Sequence, residues 1–327
     1  MRLLRKLTFP LSLIYALVVY VRNRFYDLGW FSSRSFKTKT ICVGNLSVGG
    51  TGKTPMIEFL ISVLGESNKI AVLSRGYGRK SKGFLLAGPG VGVGELGDEP
   101  YQISRKFPGV TVAVDADRQH GIDVLENSVA PDIILMDDAF QHRKVRCGHY
   151  ILLTSYGQLY VDDRYLPTGN LRDGKLEARR ADLIVVTKCP KDLDRSERER
   201  IRKKLAPLPS QKVLFSYLEY SSLLKGAGIL ALGDLKGRQV TLVTGIADPA
   251  PLVQYLESQG LVLEHLSYRD HHFFSEKEIG TFAKKELVLT TEKDYVRLQG
   301  RMANLYYIDI KHVFMADGEE VLMKKLT

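Results

Sequence analysis

The residues best suited to phosphate chemistry lie between positions 47 and 54. Glycines at 49, 50 and 52 free the backbone to curl, so that its N–H groups can converge on an anion at the start of a helix. In that arrangement the Lys53 ammonium contacts the β- and γ-phosphates of a nucleotide, and the Thr54 hydroxyl binds Mg²⁺. The residues predicted to hold the nucleotide are Ser47, Val48, Gly49, Gly50, Thr51, Gly52, Lys53 and Thr54.

The segments on either side support a P-loop. Residues 40–43 form a β-branched run typical of a buried strand, and residues 55–64 have the pattern of a helix. Ser47 stands where the first glycine of the G-x-x-x-x-G-K-[ST] motif belongs. A glycine-rich turn that carries Lys-Thr by chance is the alternative, but a strand before and a helix after are the context that the motif requires.

An apolar run at 133–136 ends in two carboxylates, Asp137 and Asp138, as in a Walker B element. The carboxyl ends of parallel strands meet at one ligand crevice, so we expect these aspartates to face the P-loop. One of them can then join Thr54 and the phosphates around Mg²⁺, and the sequence leaves open which one does. Alone, two acids after a strand are equally typical of a solvated turn.

Other charged residues also lie at predicted strand ends. Arg75 and Arg118 follow strands, Asp98 precedes a helix, and the pair His271 and His272 begins a further loop. Each has an ordinary explanation, such as a helix cap for Asp98 or a surface loop for the histidines. Carboxylates and arginines gathered at several strand ends nevertheless indicate an active site.

Short apolar strands alternate with helices along most of the chain. This pattern predicts an α/β fold, with a doubly wound parallel sheet in a P-loop domain and a second, smaller α/β domain. The break Ala-Pro-Leu-Pro-Ser at 206–210 marks the first boundary. The predicted divisions are an N-terminal helix at 1–30, the P-loop domain at 31–210, a β linker at 211–236 and the C-terminal domain at 237–327.

The apolar run at 7–21 is flanked by cations, with Arg2, Arg5 and Lys6 before it and Arg22 and Arg24 after it. As a helix it spans about 22 Å, short of the roughly 30 Å hydrocarbon core of a bilayer. No small-residue cleavage site follows it, which argues against a signal peptide. Three interpretations remain: a helix docked into the membrane face, a buried core helix, and a true anchor.

Composition limits the partners. The 327 residues contain 47 Lys plus Arg against 37 Asp plus Glu, a formal charge of +10 that suits nucleic acid, a phosphorylated substrate or an acidic membrane. Three cysteines without metal-ligand spacing argue against a disulfide framework and a zinc site, and favour a reduced cytosolic setting.

Together these motifs resemble the tetraacyldisaccharide 4′-kinases of lipid A synthesis, whose loop also lacks the first glycine. The resemblance covers nearly the whole chain, in the family's order. It rests on VGNLSVGGTGKTP at 43–55, LSRGYGR at 73–79, GDEP at 97–100, DDAFQH at 137–142, LP and LR at 166–167 and 171–172, GIADP at 245–249, DHH at 270–272 and TEKD at 291–294.

The resemblance implies ATP- and Mg²⁺-dependent phosphorylation of the 4′-hydroxyl of tetraacyldisaccharide 1-phosphate, to give lipid IVA. It implies a peripheral or monotopic protein on the cytoplasmic face of a bacterial inner membrane, bound through the N-terminal helix, with no nucleic-acid or obligate protein partner. Asp98 would take the hydroxyl proton, partnered by His271, with His272 as the alternative, once the second lobe closes. The residues expected on the substrate side are Arg75, Arg118, Gln141, His142 and Arg172.

Two other classes of protein fit less well. A switch ATPase of the regulatory or partitioning type, acting at the membrane, carries a lysine where this chain has Val48. A nucleic-acid-binding P-loop protein would need cations interleaved with aromatic residues, whereas the basic residues here lie near the apolar N-terminus and the phosphate loops.

Overall fold

The computed structural model describes residues 7–326, which form two β-sheets and their covering helices. The elements of the first part are α1 (Phe9–Asp27), β1 (Lys39–Asn45), α2 (Lys53–Leu64), β2 (Ile70–Ser74), β3 (Leu85–Leu86), α3 (Val93–Leu96), α4 (Asp98–Lys106), β4 (Thr111–Val114), α5 (Arg118–Ser128), β5 (Ile133–Asp137), β6 (His149–Ser155), β7 (Leu183–Thr187) and α6 (Arg195–Leu205). The elements of the second part are β8 (Lys212–Tyr220), β9 (Leu223–Gly226), β10 (Leu230–Ala231), β11 (Gln239–Thr244), α7 (Ala250–Ser258), β12 (Val262–Ser267), α8 (Glu276–Phe282), β13 (Val288–Thr291), α9 (Glu292–Leu298), β14 (Leu305–Ile308), β15 (Ile310–Phe314) and α10 (Gly318–Leu326).

The larger sheet has the strand order β15-β8-β7-β6-β1-β5-β2-β4-β3. Its strands from β8 to β4 pair in parallel, and the two edge strands, β15 and β3, are antiparallel to their neighbours. Apolar side chains fill separate clusters on the two faces, one packed under α5 and the other under α2 and α10. The predicted doubly wound α/β fold is therefore confirmed.

The smaller sheet has the order β10-β9-β14-β13-β11-β12, with parallel strands from β14 to β12. Its two faces pack into two further apolar clusters, one with α7 and the other with α8 and α9. This unit is the predicted second α/β domain.

Two segments join the larger sheet from outside the predicted P-loop domain. Strand β8 lies within the predicted linker at 211–236 but pairs with β7, and β15 returns from the C-terminal block to pair with β8. Helix α10 follows and buries Leu322 and Leu326 in a core of the larger sheet. The physical reason is that β7 would otherwise be an unpaired apolar edge, which β8 and β15 extend and cover.

Helix α1 packs through polar side chains and exposes apolar ones. The Ser12 hydroxyl donates to Thr168 Oγ1 at 2.7 Å, Tyr15 donates to the Arg172 carbonyl at 3.0 Å, and Asn23 donates to the buried Asp173 at 2.7 Å. The exposed side is apolar, consisting mainly of Leu11, Leu13, Ile14, Leu17, Val18, Tyr20 and Val21. A buried core helix is therefore the wrong alternative.

Within residues 7–326, no helix is long and apolar enough to cross a membrane. The flanking cations Arg2, Arg5 and Lys6 lie outside the described residues.

Candidate active site

The predicted phosphate-binding loop joins the end of β1 to the start of α2. Strand β1 lies between β5 and β6, where the strand order reverses, and the crevice beyond such a point is where α/β sheets bind ligands. Gly49 and Gly52 have φ values of 123° and 86°, which are strained for residues with a side chain. Gly52 is the N-cap of α2, so a helix N-terminus opens into the crevice, as an anion site requires.

The Lys53 ammonium lies in a polar network at the floor of this crevice. It donates to Asn45 Oδ1 at 3.3 Å and lies 3.6 Å from Asp138 Oδ1. Arg172 binds the Asp138 carboxylate with both terminal nitrogens and also donates to Asn45 Oδ1 at 2.6 Å. Asn45 therefore connects the two cations, and Asp138 partly neutralises both.

The two aspartates at the end of β5 have different environments. Burial raises the pKa of Asp138, but the hydrogen bond from Arg172 and the charge of Lys53 outweigh it and lower the pKa to about 2. Burial and the charge of Asp138 raise the pKa of Asp137 to about 6. Asp138 is thus paired with two cations, whereas Asp137 has no cation at hydrogen-bond distance within the described residues.

Asp137 fits a metal ligand. Its Oδ2 accepts from the Ser74 hydroxyl at 3.1 Å, while its Oδ1 is buried without a hydrogen-bond partner among the described residues. A buried carboxylate oxygen left in this state is costly unless a ligand reaches it. Because residues 7–326 contain no cluster of three His, Cys, Asp or Glu side chains suited to a metal ion, phosphate oxygens, water and the Thr54 hydroxyl would supply the other ligands that Mg²⁺ prefers.

The predicted substrate-side residues surround the same crevice. Gln141 donates to the Asn45 carbonyl at 2.7 Å. Arg118 is 3% exposed, and its Nε has no partner in the described part of the chain. Burial and the charge of Arg118 lower the pKa of His142 to about 4, and Arg75, which is exposed, adds to this effect. The predicted substrate-side residues therefore carry excess positive charge next to Asp137, as a site for phosphorylated ligands requires.

Asp98 and His271 are in contact. His271 Nδ1 lies 2.7 Å from Asp98 Oδ2, and Arg297 donates from Nε to Asp98 Oδ1 at 2.9 Å and from a terminal nitrogen to Oδ2. Burial opposes ionisation of Asp98, but the hydrogen bonds and charges of His271 and Arg297 hold its pKa well below its usual range. The carboxylate is thus ionised and fixed in orientation.

The neighbours of His271 determine its tautomer. Lys293 Nζ lies 3.1 Å from Nε2 and can only donate, so Nε2 accepts. Nδ1 then carries the proton and donates a hydrogen bond to Asp98 Oδ2. His272 does not reach Asp98. Its Nε2 lies 3.1 Å from Glu278 Oε1, and its ring stacks on Tyr268.

Glu99 connects the two groups of charges. It lies 3.5 Å from Lys293, and its charge contributes to the raised pKa of Asp137. The loops that carry Asp98, His271 and Asp137 therefore face one crevice, between the ends of the two sheets.

Sequence reasoning missed Arg297, Asn45 and Lys293. Arg297 is 7% exposed and binds both Asp98 and Asp294. The only signal in the sequence is that Asp294 and Arg297 are three positions apart, a spacing that suits an ion pair on one helix face. Asn45 and Lys293 lie inside the quoted motifs, but spacing alone gives them no role.

A glycine-rich loop with Lys53 at a helix N-terminus, a buried aspartate at the end of the neighbouring strand β5 and an ionised Asp98 are the features of a P-loop phosphotransferase. A sequence model of the family described as tetraacyldisaccharide-1-P 4′-kinase matches residues 4–327. The chain belongs to this family, as the sequence motifs predict.

Individual relatives agree with this assignment. The chain is 47% identical to a tetraacyldisaccharide 4′-kinase of Flavobacterium johnsoniae, over 96% of this chain and 94% of the relative. It is 45% identical to the corresponding protein of Flavobacterium psychrophilum, over 100% and 97%. A crystal structure of the "apo" form of LpxK from Aquifex aeolicus in complex with ATP is similar with a TM-score of 0.82 and 30% identity, covering 99% of this chain and 100% of the other.

Proposed function

We propose that this protein transfers the γ-phosphoryl group of ATP to the 4′-hydroxyl of tetraacyldisaccharide 1-phosphate, giving lipid IVA in lipid A biosynthesis. Family membership supports the reaction. The observation that carries the site is the contact between Asp98 and His271, from different domains, in the crevice that the P-loop opens into.

The nucleotide binds to residues 47–54, and Lys53 and the exposed N–H groups of the loop neutralise its phosphates. Thr54 and Asp137 would hold Mg²⁺, which would supply positive charge beside the phosphate oxygens. Arg75, Arg118, Gln141, His142 and Arg172 are proposed as contacts to phosphate or sugar groups. Arg118 Nε, Arg172 Nε and His142 Nε2 have no hydrogen-bond partner within the described residues, and Arg118 is buried as well.

Asp98 receives the proton of the attacking hydroxyl. Phosphoryl transfer has a loose transition state, so the hydroxyl becomes acidic late and a weakly basic carboxylate suffices. Arg297 aligns the carboxylate through two hydrogen bonds, and His271 donates to the same Oδ2. The second lone pair of Oδ1 remains available to the substrate, because Arg297 is its single partner within the described residues.

In this proposal, helix α1 holds the site at the inner membrane surface, on its cytoplasmic face. An apolar face this large on a helix that docks through its polar side fits insertion into the interfacial layer of a bilayer. Trp30, which is 70% exposed at the end of α1, suits the headgroup level. Because Tyr15 of α1 bonds to the backbone of Arg172, acyl chains held at this helix would bring the sugar to the crevice.

Transfer of labelled γ-phosphate from Mg-ATP to tetraacyldisaccharide 1-phosphate in detergent micelles tests the proposal. We expect a labelled lipid with the wild-type protein and none with Lys53→Ala or Asp98→Asn. ATP hydrolysis without a labelled lipid would overturn the proposal in favour of a switch ATPase. Wild-type turnover by Asp98→Asn would leave the reaction standing but remove Asp98 from it.

A further inference from the structure

The two strands that connect the sheets lie side by side. The chain leaves the larger sheet through β8 and returns through β15, with Asp309 alone between β14 and β15. The pair is antiparallel, with His312 opposite Leu218 and Phe314 opposite Ser216. Ser216 and His312 are therefore diagonal neighbours on one face of the pair, within reach of each other.

His312 links this strand pair to the phosphate-binding loop. Its Nε2 lies 3.0 Å from the Gly52 carbonyl oxygen and its Nδ1 lies 3.0 Å from the Ser216 hydroxyl. Both side chains are buried. A carbonyl can only accept, so Nε2 carries a proton and donates it to Gly52.

The other ring nitrogen must then accept. Burial lowers the pKa of His312 to about 4. The hydrogen bond to Gly52 opposes this effect, and the charge of Lys188 adds to it. The ring is neutral at pH 7, so Nδ1 accepts from the Ser216 hydroxyl. The Gly52 carbonyl therefore sets the tautomer of His312, and the Ser216 hydroxyl, which can donate or accept, holds the ring in the orientation from which it donates to the loop.

The hydrogen bond from His312 reaches a peptide of the phosphate-binding loop, whose Gly52 carbonyl also accepts from the Met56 N–H of α2 at 3.1 Å. In a trans peptide the carbonyl and the following N–H point in opposite directions, so holding the Gly52 carbonyl toward His312 turns the N–H of Lys53 away from it. The Thr187 hydroxyl does the same for the preceding peptide, by donating to the Thr51 carbonyl at 2.8 Å. The N–H groups of Gly52 and Lys53 are thus both turned away from the side on which Thr187 and His312 lie.

We infer that His312, oriented by Ser216, is a positioning residue that holds the phosphate-binding loop in its nucleotide-binding conformation. The inference rests on the proposal that residues 47–54 hold ATP. The close packing at Gly52 supports it, because a Cβ at this position would lie 3.0 Å from Nε2 and the ring would have to move by a few tenths of an ångström. The nucleotide site consequently depends on the strands that cross between the sheets, and not only on β1 and α2.

Three variants of the full chain in detergent test the inference. His312→Ala removes the hydrogen bond, His312→Gln keeps an amide donor near the position of Nε2, and His265→Ala removes a comparable contact between a histidine and Thr244 in the smaller sheet. Each is measured for binding of a fluorescent ATP analogue with Mg²⁺, for the KM of ATP and of lipid, and for its thermal unfolding midpoint.

We expect His312→Ala to raise the Kd and the KM for ATP about tenfold, the equivalent of about one buried hydrogen bond, with the KM for lipid unchanged. His312→Gln should stay within about threefold of the wild type, since its amide replaces the donor. The inference is overturned if His312→Ala loses only thermal stability, as His265→Ala should, or if His312→Gln binds ATP as poorly as His312→Ala. Lys53→Ala separates the two proposals, because unchanged nucleotide binding by that variant would remove the P-loop assignment itself.

Discussion

At the level of single residues, the site is a set of buried charges that neutralise one another. Arg297 is the central example, because its guanidinium contacts the carboxylates of Asp98 and Asp294 and is almost completely buried. A buried ion pair adds little net stability, but removing one partner leaves an uncompensated charge. The orientation of Asp98 thus depends on the buried guanidinium of Arg297.

Replacing Arg297 by Gln should therefore reduce both stability and turnover. We expect a loss of about 3 kcal/mol in the free energy of unfolding, because two buried carboxylates lose their cation. We also expect a fall in kcat of at least about tenfold with the KM for ATP unchanged, since Asp98 loses two of its hydrogen bonds. Urea unfolding and steady-state kinetics provide the measurements.

Arg301→Gln is the matched control, because Arg301 lies four residues further along the chain, beyond the end of α9, and pairs with the exposed Glu276. It should change the free energy of unfolding by less than about 0.5 kcal/mol. Equal losses in the two variants would contradict the role given to Arg297.

Replacing each of the two adjacent histidines should have different effects on turnover in the same kinetic assay. His271→Ala should lower kcat about 100-fold, the usual range for a group that assists proton transfer, without changing nucleotide binding. His272→Ala should retain turnover within a few-fold, because that ring contacts Glu278 and Tyr268 and not Asp98. Wild-type turnover by His271→Ala would exclude its coupling to Asp98.

At the level of elements, Lys106 joins three helices. Its ammonium lies 2.8 Å from Glu58 on α2 and 2.7 Å from Glu292 on α9, while α4, which carries it, begins at Asp98. Burial opposes the charge of Lys106, but the two carboxylates outweigh it and raise its pKa. The helix that starts at the P-loop and the helix that carries Arg297 are thus tied to the helix of Asp98.

This cluster predicts a pH dependence. Burial and the charge of Glu292 raise the pKa of Glu58 to about 7. A carboxyl whose pKa is higher in the folded state favours folding while protonated, and that contribution is lost as pH rises from about 4.5 to 7. Glu58→Gln still accepts a hydrogen bond from Lys106 but cannot titrate, so this variant should lack that pH dependence. We expect the free energy of unfolding of the wild type to fall by about 1–2 kcal/mol relative to this variant between pH 5 and pH 8.

Urea unfolding at several pH values measures the difference between the two proteins. Parallel pH profiles for the wild type and Glu58→Gln would show that Glu58 does not titrate in this range.

Elements that are local in the chain could be predicted, and those defined by distant partners could not. The P-loop occupies eight consecutive residues, and Asp137 follows an unmistakable apolar strand. The pairing of Asp98 with Arg297 spans 199 positions, which no local pattern encodes. Strand β15 has the same apolar character whichever sheet receives it, so its place beside β8 depends on tertiary packing.

At the scale of the whole molecule, the exposed apolar side of helix α1 is the surface that we propose to meet the bilayer. A surface helix of a soluble protein would turn polar residues such as Ser12 and Tyr15 to solvent. The structure reverses this orientation, because these residues and Asn23 hold the helix to the segment around Thr168 and Asp173. The apolar side is left facing outward, next to the crevice.

The final prediction concerns this outward face. Ile14 and Leu17 are 61% and 62% exposed, so replacing both by Glu should leave folding and nucleotide binding intact. Each aliphatic side chain contributes about 1.5–3 kcal/mol when it moves from water into the bilayer, and the new carboxylates would be repelled by anionic lipids. Binding to vesicles of anionic and zwitterionic lipid should therefore weaken at least about 100-fold.

Ile229→Glu is the matched control, because Ile229 is 79% exposed in the smaller domain. Co-sedimentation with vesicles measures binding, and the KM for lipid in mixed micelles should rise for the α1 variant alone. If Ile229→Glu weakened vesicle binding as much as the double change in α1, or if the α1 variant sedimented like the wild type, the membrane would meet a different face. The substrate route past Tyr15 to Arg172 would then have to be abandoned, because acyl chains approaching from another side would not bring the sugar to Asp98.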